Sequence, residues 1–204
     1  MITIVDYGVG NLRAFLNMYG RLNIDARTVS SVEDLRSATK IILPGVGDFD
    51  RTMQQLDESG MRATLDDLVL GKGIPVLGVC VGMQMLARSS DEGVRPGLGW
   101  IAGEVRAFRS LPSAETLLLP HMGWNDVRPV RANPLLDQLE SDARFYFLHS
   151  YYFQCDREED SAAVSSYGTD FSSAVNAGNI FGVQFHPEKS HHWGTRLLKN
   201  FAEL

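Results

Sequence analysis

Short apolar runs alternate with longer segments of helical periodicity up to about residue 87. A short apolar run predicts a buried strand, whereas apolar residues at every third or fourth position predict a helix with one buried face. Ser30 and Glu33 form a capping box for the second helix, and Gly60 divides the third. The predicted strands are residues 2–7, 24–29, 40–43 and 75–79, and the predicted helices are 12–20, 30–38, 49–70 and 81–87. This alternation predicts a mainly parallel sheet with helices on both faces.

The second half of the sequence has a different pattern, in which apolar runs follow one another across short turns such as residues 176–179. Consecutive strands of this kind are antiparallel, because parallel strands need long crossovers. A last helix is predicted from about His192, with Trp193, Leu197 and Phe201 on one face. No repeat or linker interrupts the sequence, so residues 1–204 are predicted to form a single domain. The predicted strands are residues 101–108, 116–119, 144–154, 162–167, 172–176 and 180–185.

The composition excludes several functional classes. A net charge of −6 and a pI near 5.3 disfavour a nucleic-acid-binding protein, whose surface is basic. No apolar run approaches the ~20 residues of a membrane-spanning helix. Residues 1–7 lack the basic segment of a signal peptide. Cys80 and Cys155 suffice for one disulfide, but nothing else indicates secretion, so both thiols are predicted to be reduced in the cytoplasm.

Cys80 lies where the fourth predicted strand turns into a helix, between Gly78 and Gly82. A nucleophile flanked by glycines at such a join is the elbow arrangement of many hydrolases. The unpaired N–H groups and dipole of the following helix favour a thiolate, and such sites lower a thiol pKa from about 8.5 to roughly 3.5–7.5. Most free cysteines are instead small buried hydrophobes. The elbow alone leaves both interpretations open.

A nucleophilic cysteine needs a base, and the base needs a group that orients it. His186 follows the apolar run 180–185 and is stopped there by Pro187, and strand ends of this kind face the ligand crevice in α/β sheets. Glu188 is close enough to accept a hydrogen bond from the imidazole. The sequence therefore predicts Cys80, His186 and Glu188 as nucleophile, base and orienting group, although a histidine at a strand end also occurs without any catalytic role.

Acyl transfer further needs aimed N–H donors for a developing oxyanion. The N–H of Val81 directly follows the nucleophile. A second donor is predicted in the loop of residues 44–47, at Val46 or Gly47, because two glycines let a peptide rotate there. An ordinary glycine-rich turn is the alternative for this loop. Gly8 and Gly10 do not form a dinucleotide loop, because the required third glycine is missing at Arg13.

Residues 78–84 together with His186, Pro187 and Glu188 resemble the class I, triad-type glutamine amidotransferases. Four further stretches, at residues 6–11, 44–49, 120–125 and 186–190, are similar to one branch of that family, the glutaminase subunits of histidine biosynthesis. The resemblance implies a three-layer α/β/α sandwich with a central mixed, mainly parallel sheet. It implies that Cys80 attacks the glutamine carboxamide, that His186 protonates the departing ammonia and then activates water, and that Glu188 holds His186.

The resemblance also implies how the substrate L-glutamine is bound. Gln84 contacts the substrate, Glu92 pairs with its ammonium group, and the backbone of His149, Ser150 and Tyr151 contacts its α-carboxylate. A zwitterion requires a carboxylate partner at one end and N–H donors at the other, so these residue types suit the ligand. A capping or solvated polar group and a plain strand end are the structural alternatives. No cofactor and no metal site are predicted.

The partner implied by the resemblance is a (β/α)8 cyclase subunit in a heterodimer. This cyclase takes ammonia through a channel and joins it to a phosphoribulosyl-aminoimidazole nucleotide. Asn11 and Lys189 match positions that face the partner. The family's glutaminase is nearly inactive alone, which predicts that partner binding favours the competent state of the 44–47 loop.

Two departures from the branch leave the pathway open. His191, His192 and Trp193 stand where the histidine-pathway pattern has a small or amide residue, and residues 165–168 resemble a paralogous branch that feeds ammonia to surface-polysaccharide sugar modification. Two other classes also compete, a stand-alone cysteine amidohydrolase and a non-catalytic subunit. His121, which has no partner at metal-ligand spacing, is predicted to be structural or to face the interface.

Overall fold

The computed structural model describes residues 1–112, 114–139 and 142–204. Its first half alternates strands and helices, as the apolar pattern predicts. The strands are β1 (Ile2–Val5), β2 (Ala26–Val29), β3 (Ile41–Gly45) and β4 (Val76–Cys80). The helices are α1 (Leu12–Arg21), α2 (Val32–Leu35), α3 (Phe49–Glu58), α4 (Arg62–Asp66) and α5 (Val81–Gln84), and a π-helical turn, Asp67–Gly71, follows α4.

The second half consists mainly of strands. These are β5 (Ser89–Ser90), β6 (Gly103–Ala107), β7 (His121–Asp126), β8 (Arg128–Pro129), β9 (Arg144–His149), β10 (Tyr151–Cys155), β11 (Ser161–Ser166), β12 (Asp170–Ala177) and β13 (Ile180–Val183). Helix α6 (His191–Glu203) follows them. Within the described ranges, no helix is both long enough and apolar enough to cross a membrane.

The larger sheet is mixed, in the order β2–β1–β3–β4–β13–β12–β10–β6–β5, with β11 beside β12 and β8 beside β11. Neighbours from β2 to β13 are parallel, and the pairs made by β12 are antiparallel. Every residue of β1, β3, β4 and β13 is buried, which requires cover on both faces. The predicted α/β sandwich is confirmed.

The parallel pairing of β4 with β13 positions the site. Cys80 ends β4, and His186 follows β13 by a few residues. The carboxyl ends of parallel neighbours meet at the same edge of a sheet, where ligands bind in open α/β folds. The two residues are far apart in sequence but reach one edge because their strands are adjacent.

The predicted strand at residues 144–154 is wrong, because it is two strands of two sheets. β9 pairs with β7 in a separate two-stranded sheet, whereas β10 pairs with β6 in the larger one. The break is at Ser150, whose carbonyl accepts a hydrogen bond from the Phe108 N–H at 3.1 Å. A continuous apolar pattern carries no information about which sheet each half joins.

Three smaller predictions also need correction. Residues 116–119 form no strand, since Ala114–Thr116 is a 3₁₀ turn and Leu118 is 85% exposed. The strand in this region is β7, which the sequence pattern did not predict. The cap of α2 is Ser31, which accepts from the Asp34 N–H at 3.2 Å, rather than Ser30 with Glu33.

The predicted helix 81–87 is shorter than expected, because α5 ends at Gln84. The carbonyl groups of Met85, Leu86 and Ala87 accept hydrogen bonds from the N–H groups of Leu98, Ile101 and Gly99, at 2.7–3.0 Å. The N–H groups of Leu86 and Ala87 donate to the carbonyls of Met83 and Gln84, three residues back, so the α-helical pattern ends at Gln84 and the returning loop pairs with the carbonyls that follow.

Candidate active site

Cys80 occupies a strained bend between β4 and α5. Its φ of 56° and ψ of −115° lie in a half of the backbone map that residues with side chains rarely adopt. Conformations of this kind cost on the order of 1–3 kcal/mol and persist where the surrounding structure enforces them, often at functional sites. The bend turns the strand sharply into the helix and is the geometry of a nucleophile elbow.

Two glycines let α5 lie directly on the end of β3. A Cβ on Gly82 would come 2.0 Å from the Leu43 carbonyl oxygen, and one on Gly45 would come 2.3 Å from the Gly82 nitrogen. A larger residue at either position must push the helix away from the strand. Gly45 is also the register partner of Cys80. The 44–47 loop therefore passes beside the thiol, as the sequence predicts.

His186 and Glu188 form a buried pair at the end of the β13 segment. The distance from His186 Nδ1 to Glu188 Oε1 is 2.8 Å, and the two side chains are only 5% and 3% exposed. The His186 backbone N–H donates to the Tyr146 carbonyl at 2.9 Å, and the Ser190 hydroxyl donates to the His186 carbonyl at 2.6 Å. These bonds hold the 3₁₀ turn Pro187–Lys189 in place and fix the direction of the imidazole.

His186 and Cys80 line the same cavity, and their interaction changes the protonation of the imidazole. Burial alone lowers the pKa of the His186 imidazole, but the interactions with Cys80 and with the hydrogen-bonded Glu188 carboxylate outweigh it and raise that pKa to about 10. The imidazole is therefore protonated at neutral pH. A protonated imidazole in the cavity can donate its proton to a departing group.

A cavity of about 440 Å³ lies over the thiol. Cys80 and His186 both line it, whereas Glu188 contacts His186 from outside the lining. The other lining residues are Val46, Gly47, Val81, Gln84, Glu92, Pro120, Leu148, His149, Ser150, Tyr151 and Lys189. The structure thus brings the predicted nucleophile, base, N–H donors and substrate-binding residues together. Asn11 lies apart from this lining, exposed in the loop between β1 and α1.

Glu92 is held at the cavity by the start of α3. Its Oε2 accepts from the Phe49 N–H at 3.0 Å, and the Asp50 carboxylate accepts from the N–H groups of Val94 and Arg95, which fixes the loop that carries Glu92. Burial raises the pKa of Glu92, the Phe49 N–H partly opposes this, and the charges of Asp48 and Asp50 raise it further. The carboxylate is poorly solvated, which favours pairing with a cation.

The chain matches the family model described as glutamine amidotransferase class-I over residues 3–204. The chain belongs to the class-I glutamine amidotransferases. This amidotransferase is 58% identical to a protein from Bdellovibrio bacteriovorus named imidazole glycerol phosphate synthase subunit HisH, over 204 residues and 100% of both chains. It is 56% identical to a protein of the same name from Leptospira interrogans, and 47% identical to one named imidazole glycerol phosphate synthase subunit HisH 2 from Pseudomonas aeruginosa, again over 100% of both chains.

Solved structures support the fold of the amidotransferase. A crystal structure described as a glutamine amidotransferase aligns with a TM-score of 0.76 at 21% identity, covering 100% of this chain and 98% of the other. A glutamine amidotransferase from Thermotoga maritima aligns with a TM-score of 0.65 at 18% identity, covering 99% of this chain and 82% of the other. At such low identity the likeness establishes the architecture and nothing finer.

Sequence reasoning missed Gln184 in this amidotransferase. Its side chain is fully buried, its Oε1 accepts from Gln84 Nε2 at 3.0 Å, and its Nε2 lies 3.9 Å from Cys80 Sγ. The amide therefore connects Gln84, a predicted substrate-binding residue, to the thiol. The available signal was a polar residue inside the apolar run 180–185, because a buried amide needs hydrogen-bond partners.

Proposed function

We propose that the chain is the glutaminase subunit of imidazole glycerol phosphate synthase. It hydrolyses glutamine to glutamate and passes ammonia to a (β/α)8 cyclase in the cytoplasm, which makes imidazole glycerol phosphate and aminoimidazole carboxamide ribonucleotide for histidine biosynthesis. The observation that carries the proposal is Cys80 in its strained bend, lining the same cavity as Glu92 and as a His186 that Glu188 orients. The names of the full-length relatives support the pathway.

In the first half-reaction the Cys80 sulfur attacks the side-chain carboxamide carbon of glutamine. The carbonyl oxygen becomes an oxyanion, which the Val81 N–H and an N–H of Val46 or Gly47 stabilise. His186 gives its proton to the nitrogen, the C–N bond breaks, and ammonia leaves a thioester on Cys80. The raised pKa of His186 supports this step, because the imidazole starts protonated beside the sulfur.

In the second half-reaction the neutral His186 takes a proton from water. The resulting hydroxide attacks the thioester carbon, the C–S bond breaks, and glutamate is released with Cys80 again a thiolate. Glu188 keeps the Nδ1–H of His186 engaged at 2.8 Å throughout, so Nε2 is the nitrogen that exchanges protons. The sum is glutamine plus water giving glutamate plus ammonia.

The cavity holds complementary groups for the amino-acid end of the substrate. Glu92 supplies a poorly solvated carboxylate for the ammonium group, and the 149–151 turn supplies backbone groups for the α-carboxylate. Gln84 is fixed between the Tyr151 carbonyl at 3.3 Å and Gln184 at 3.0 Å, which makes it a rigid contact for the ligand.

Exposed apolar residues around the mouth of the cavity, here called the rim, support the proposal of a protein partner. Leu148 and Val46 line the cavity and are partly exposed, and Met122, the register partner of Leu148, is 65% exposed. Apolar side chains grouped at the mouth of a cavity mark an interaction surface. Lys189 lies at the same mouth, with its Nζ 5.8 Å from the centre of the Tyr146 ring. The rim residues are Val46, Met122, Trp124 and Leu148.

A glutamine analogue that carries an electrophilic group at the side-chain position tests the glutaminase assignment. We expect it to label Cys80 with saturation kinetics, and we expect free glutamine to protect the thiol competitively. Peptide mapping by mass spectrometry identifies the labelled residue, and Cys155, whose pKa burial raises to about 11, is the internal control. Labelling that glutamine does not slow would favour a stand-alone amidohydrolase.

A second pathway is favoured by one feature of the rim. The ring of His191 stacks on Trp124, with centroids 5.2 Å apart and planes at 11°, so the residue that departs from the histidine-pathway pattern lies on the partner-facing surface. A paralogous partner in surface-sugar modification would meet this changed surface.

Complementation of a histidine auxotroph that lacks this subunit discriminates between the two pathways. We expect growth without histidine when the chain is supplied together with its own cyclase. The same strain carrying Cys80→Ala is the negative control. Failure to grow, with Cys80 still labelled by the glutamine analogue, would assign the chain to the paralogous pathway and leave the glutaminase chemistry intact.

A further inference from the structure

Two histidines are buried beside the 149–151 turn. His121 in β7 and His149 in β9 are direct register partners, and they are 4% and 6% exposed. The distance from His121 Nδ1 to His149 Nε2 is 2.8 Å, and that from His149 Nδ1 to the Tyr151 carbonyl oxygen is 2.7 Å. The mechanism above uses neither imidazole.

The Tyr151 carbonyl fixes the direction of every hydrogen bond in this chain of groups. A carbonyl only accepts, so His149 Nδ1 carries a hydrogen and, in the neutral ring, His149 Nε2 is the acceptor. His121 must then donate from Nδ1, which leaves its Nε2 as the acceptor for Asn125 Nδ2 at 3.3 Å. The three side chains therefore have a single consistent arrangement, from Asn125 through His121 and His149 to the backbone.

The surroundings keep both rings neutral and immobile. Burial lowers the pKa of His121 to about 4 and that of His149 to about 3, the latter against an opposing hydrogen bond to Tyr151. The His121 ring stacks on Tyr167 with centroids 4.1 Å apart and on Phe147 with centroids 4.9 Å apart. Phe108 meets the His149 ring edge-on at 5.4 Å. Neither ring can tilt without disturbing an aromatic neighbour.

The turn that these histidines hold lies between two sheets. β9 belongs to the small sheet and β10 to the larger one, so the orientation of the peptides between them is not set by either ladder alone. The Tyr151 carbonyl accepts from His149 and also from Gln84 Nε2, and the Ser150 carbonyl accepts from the Phe108 N–H at 3.1 Å. With both carbonyls engaged by protein donors, the peptide planes of the turn are fixed where the turn lines the cavity.

We propose that His121 and His149 are positioning residues that fix the 149–151 turn for the α-carboxylate of glutamine. The inference rests on the proposed function, since it specifies how the same site recognises its substrate. The histidines act through the backbone and touch no reacting atom. Their loss should therefore weaken binding of an amino-acid ligand without changing the reactivity of the Cys80 thiol.

The test compares two reagents that alkylate Cys80 in the full chain. One is a diazoketone analogue of glutamine, which keeps the α-amino and α-carboxylate groups, and the other is iodoacetamide, which lacks both. For His121→Leu we expect the half-saturating concentration of the analogue to rise roughly 10- to 100-fold, the loss that follows when a buried hydrogen bond supporting a charged ligand is removed. The iodoacetamide rate should stay within about 2-fold, as expected for thiol reactivity that the substitution leaves untouched.

His121→Asn is the rescue variant, because its Nδ2–H takes the place of the imidazole Nδ1–H. We expect it to restore most of the analogue affinity, whereas His121→Gln, which reproduces the other ring nitrogen, should behave like His121→Leu. Asp126→Asn is the matched control, because it removes an exposed ion pair with Arg144 in the same two-stranded sheet. It should change neither the half-saturating concentration of the analogue nor the rate with iodoacetamide. Circular dichroism melting shows which variants fold. If His121→Leu does not fold, the comparison of His121→Asn with His121→Gln still tests the proposal.

The outcomes separate the two hypotheses. Unchanged analogue affinity in folded His121→Leu or His121→Gln overturns the positioning role, as does an equal loss in the Asn and Gln variants. A parallel fall in the iodoacetamide rate also overturns it, because a general distortion would then be responsible. If the wild-type chain reacts with iodoacetamide but the analogue shows no saturation, the proposed function itself fails and the inference falls with it.

Discussion

Replacing Cys80 with alanine should reduce glutamine-dependent synthesis by the complex at least about 10⁴-fold, the scale of loss seen when a covalent nucleophile is removed. Synthesis from added ammonia should survive, because ammonia bypasses the thiol. The substitution suits the bend, since cysteine already carries a Cβ at φ 56° and alanine adds no new strain. Rates of product formation with glutamine and with ammonium chloride give the two activities in one assay.

Cys155→Ala is the matched control for that experiment. Cys155 is the other free thiol, its pKa is raised to about 11 by burial, and it contacts Ser172 at 3.7 Å, apart from the residues that line the cavity. Both activities should be retained in this variant. Loss of the ammonia-dependent reaction in Cys80→Ala would instead show that Cys80 is structural, which would remove the basis of the proposed mechanism.

The parts of the site that sequence predicts well are those encoded by local patterns. The join at Cys80 is visible because an apolar run, two glycines and a helical pattern are contiguous. The pair His186 and Glu188 is visible because the two residues are separated by a single proline that ends a strand. The 44–47 loop follows a buried strand, and parallel strand order then brings it beside the thiol. Short-range patterns therefore carry the chemistry.

The parts that sequence could not predict depend on contacts between distant segments. The pattern of residues 144–154 predicts one strand, yet hydrogen bonds from Phe108 and between His149 and Tyr151 accompany a break at Ser150. In the sequence, Gln184 is a polar residue that interrupts an apolar run. The fold explains it, because Gln184 accepts a hydrogen bond from Gln84. The segment after α5 is not helical, and its carbonyls at residues 85–87 accept from the returning residues 98–101 instead. In each case a long-range partner outweighs the local preference.

Glutaminase activity of the isolated chain should be very low and should rise roughly 10²- to 10³-fold with the cyclase and its nucleotide ligand, the effect of one oxyanion-hole donor. The 44–47 loop is suited to such control. Val46 is 42% exposed, Gly47 has φ +89°, and a Cβ there would meet nothing within 4 Å. The loop has room for a peptide plane to rotate. A partner that favours the orientation with the N–H aimed at the oxyanion raises the rate in proportion to the fraction of molecules in that orientation.

The structure connects Asn11, a predicted partner-facing residue, to this loop through packed groups. Asn11 follows Gly10, which packs so closely on Pro44 that a Cβ added to Gly10 would lie 2.8 Å from the Pro44 Cβ. The Tyr7 hydroxyl donates to the Pro44 carbonyl. A partner that presses on the loop between β1 and α1 therefore contacts the start of the 44–47 loop through packed groups. Steady-state glutamate release, measured with and without the cyclase, gives the activation factor. Full activity from the chain alone would contradict this regulation.

Gly47→Ala separates regulation by the loop from a general loss of stability. Alanine at φ +89° is strained, so the variant should restrict the backbone conformations that the loop can adopt. We expect the activation factor to fall by about 10-fold or more. Gly60→Ala is the matched control, because Gly60 also has a positive φ, +71°, with no neighbour within 4 Å of its Cβ position, and it lies between α3 and α4. Both variants should lose similar stability in thermal melts. If Gly60→Ala reduced activation as much as Gly47→Ala does, strain alone would account for the effect, and the 44–47 loop would not be the element that the partner controls.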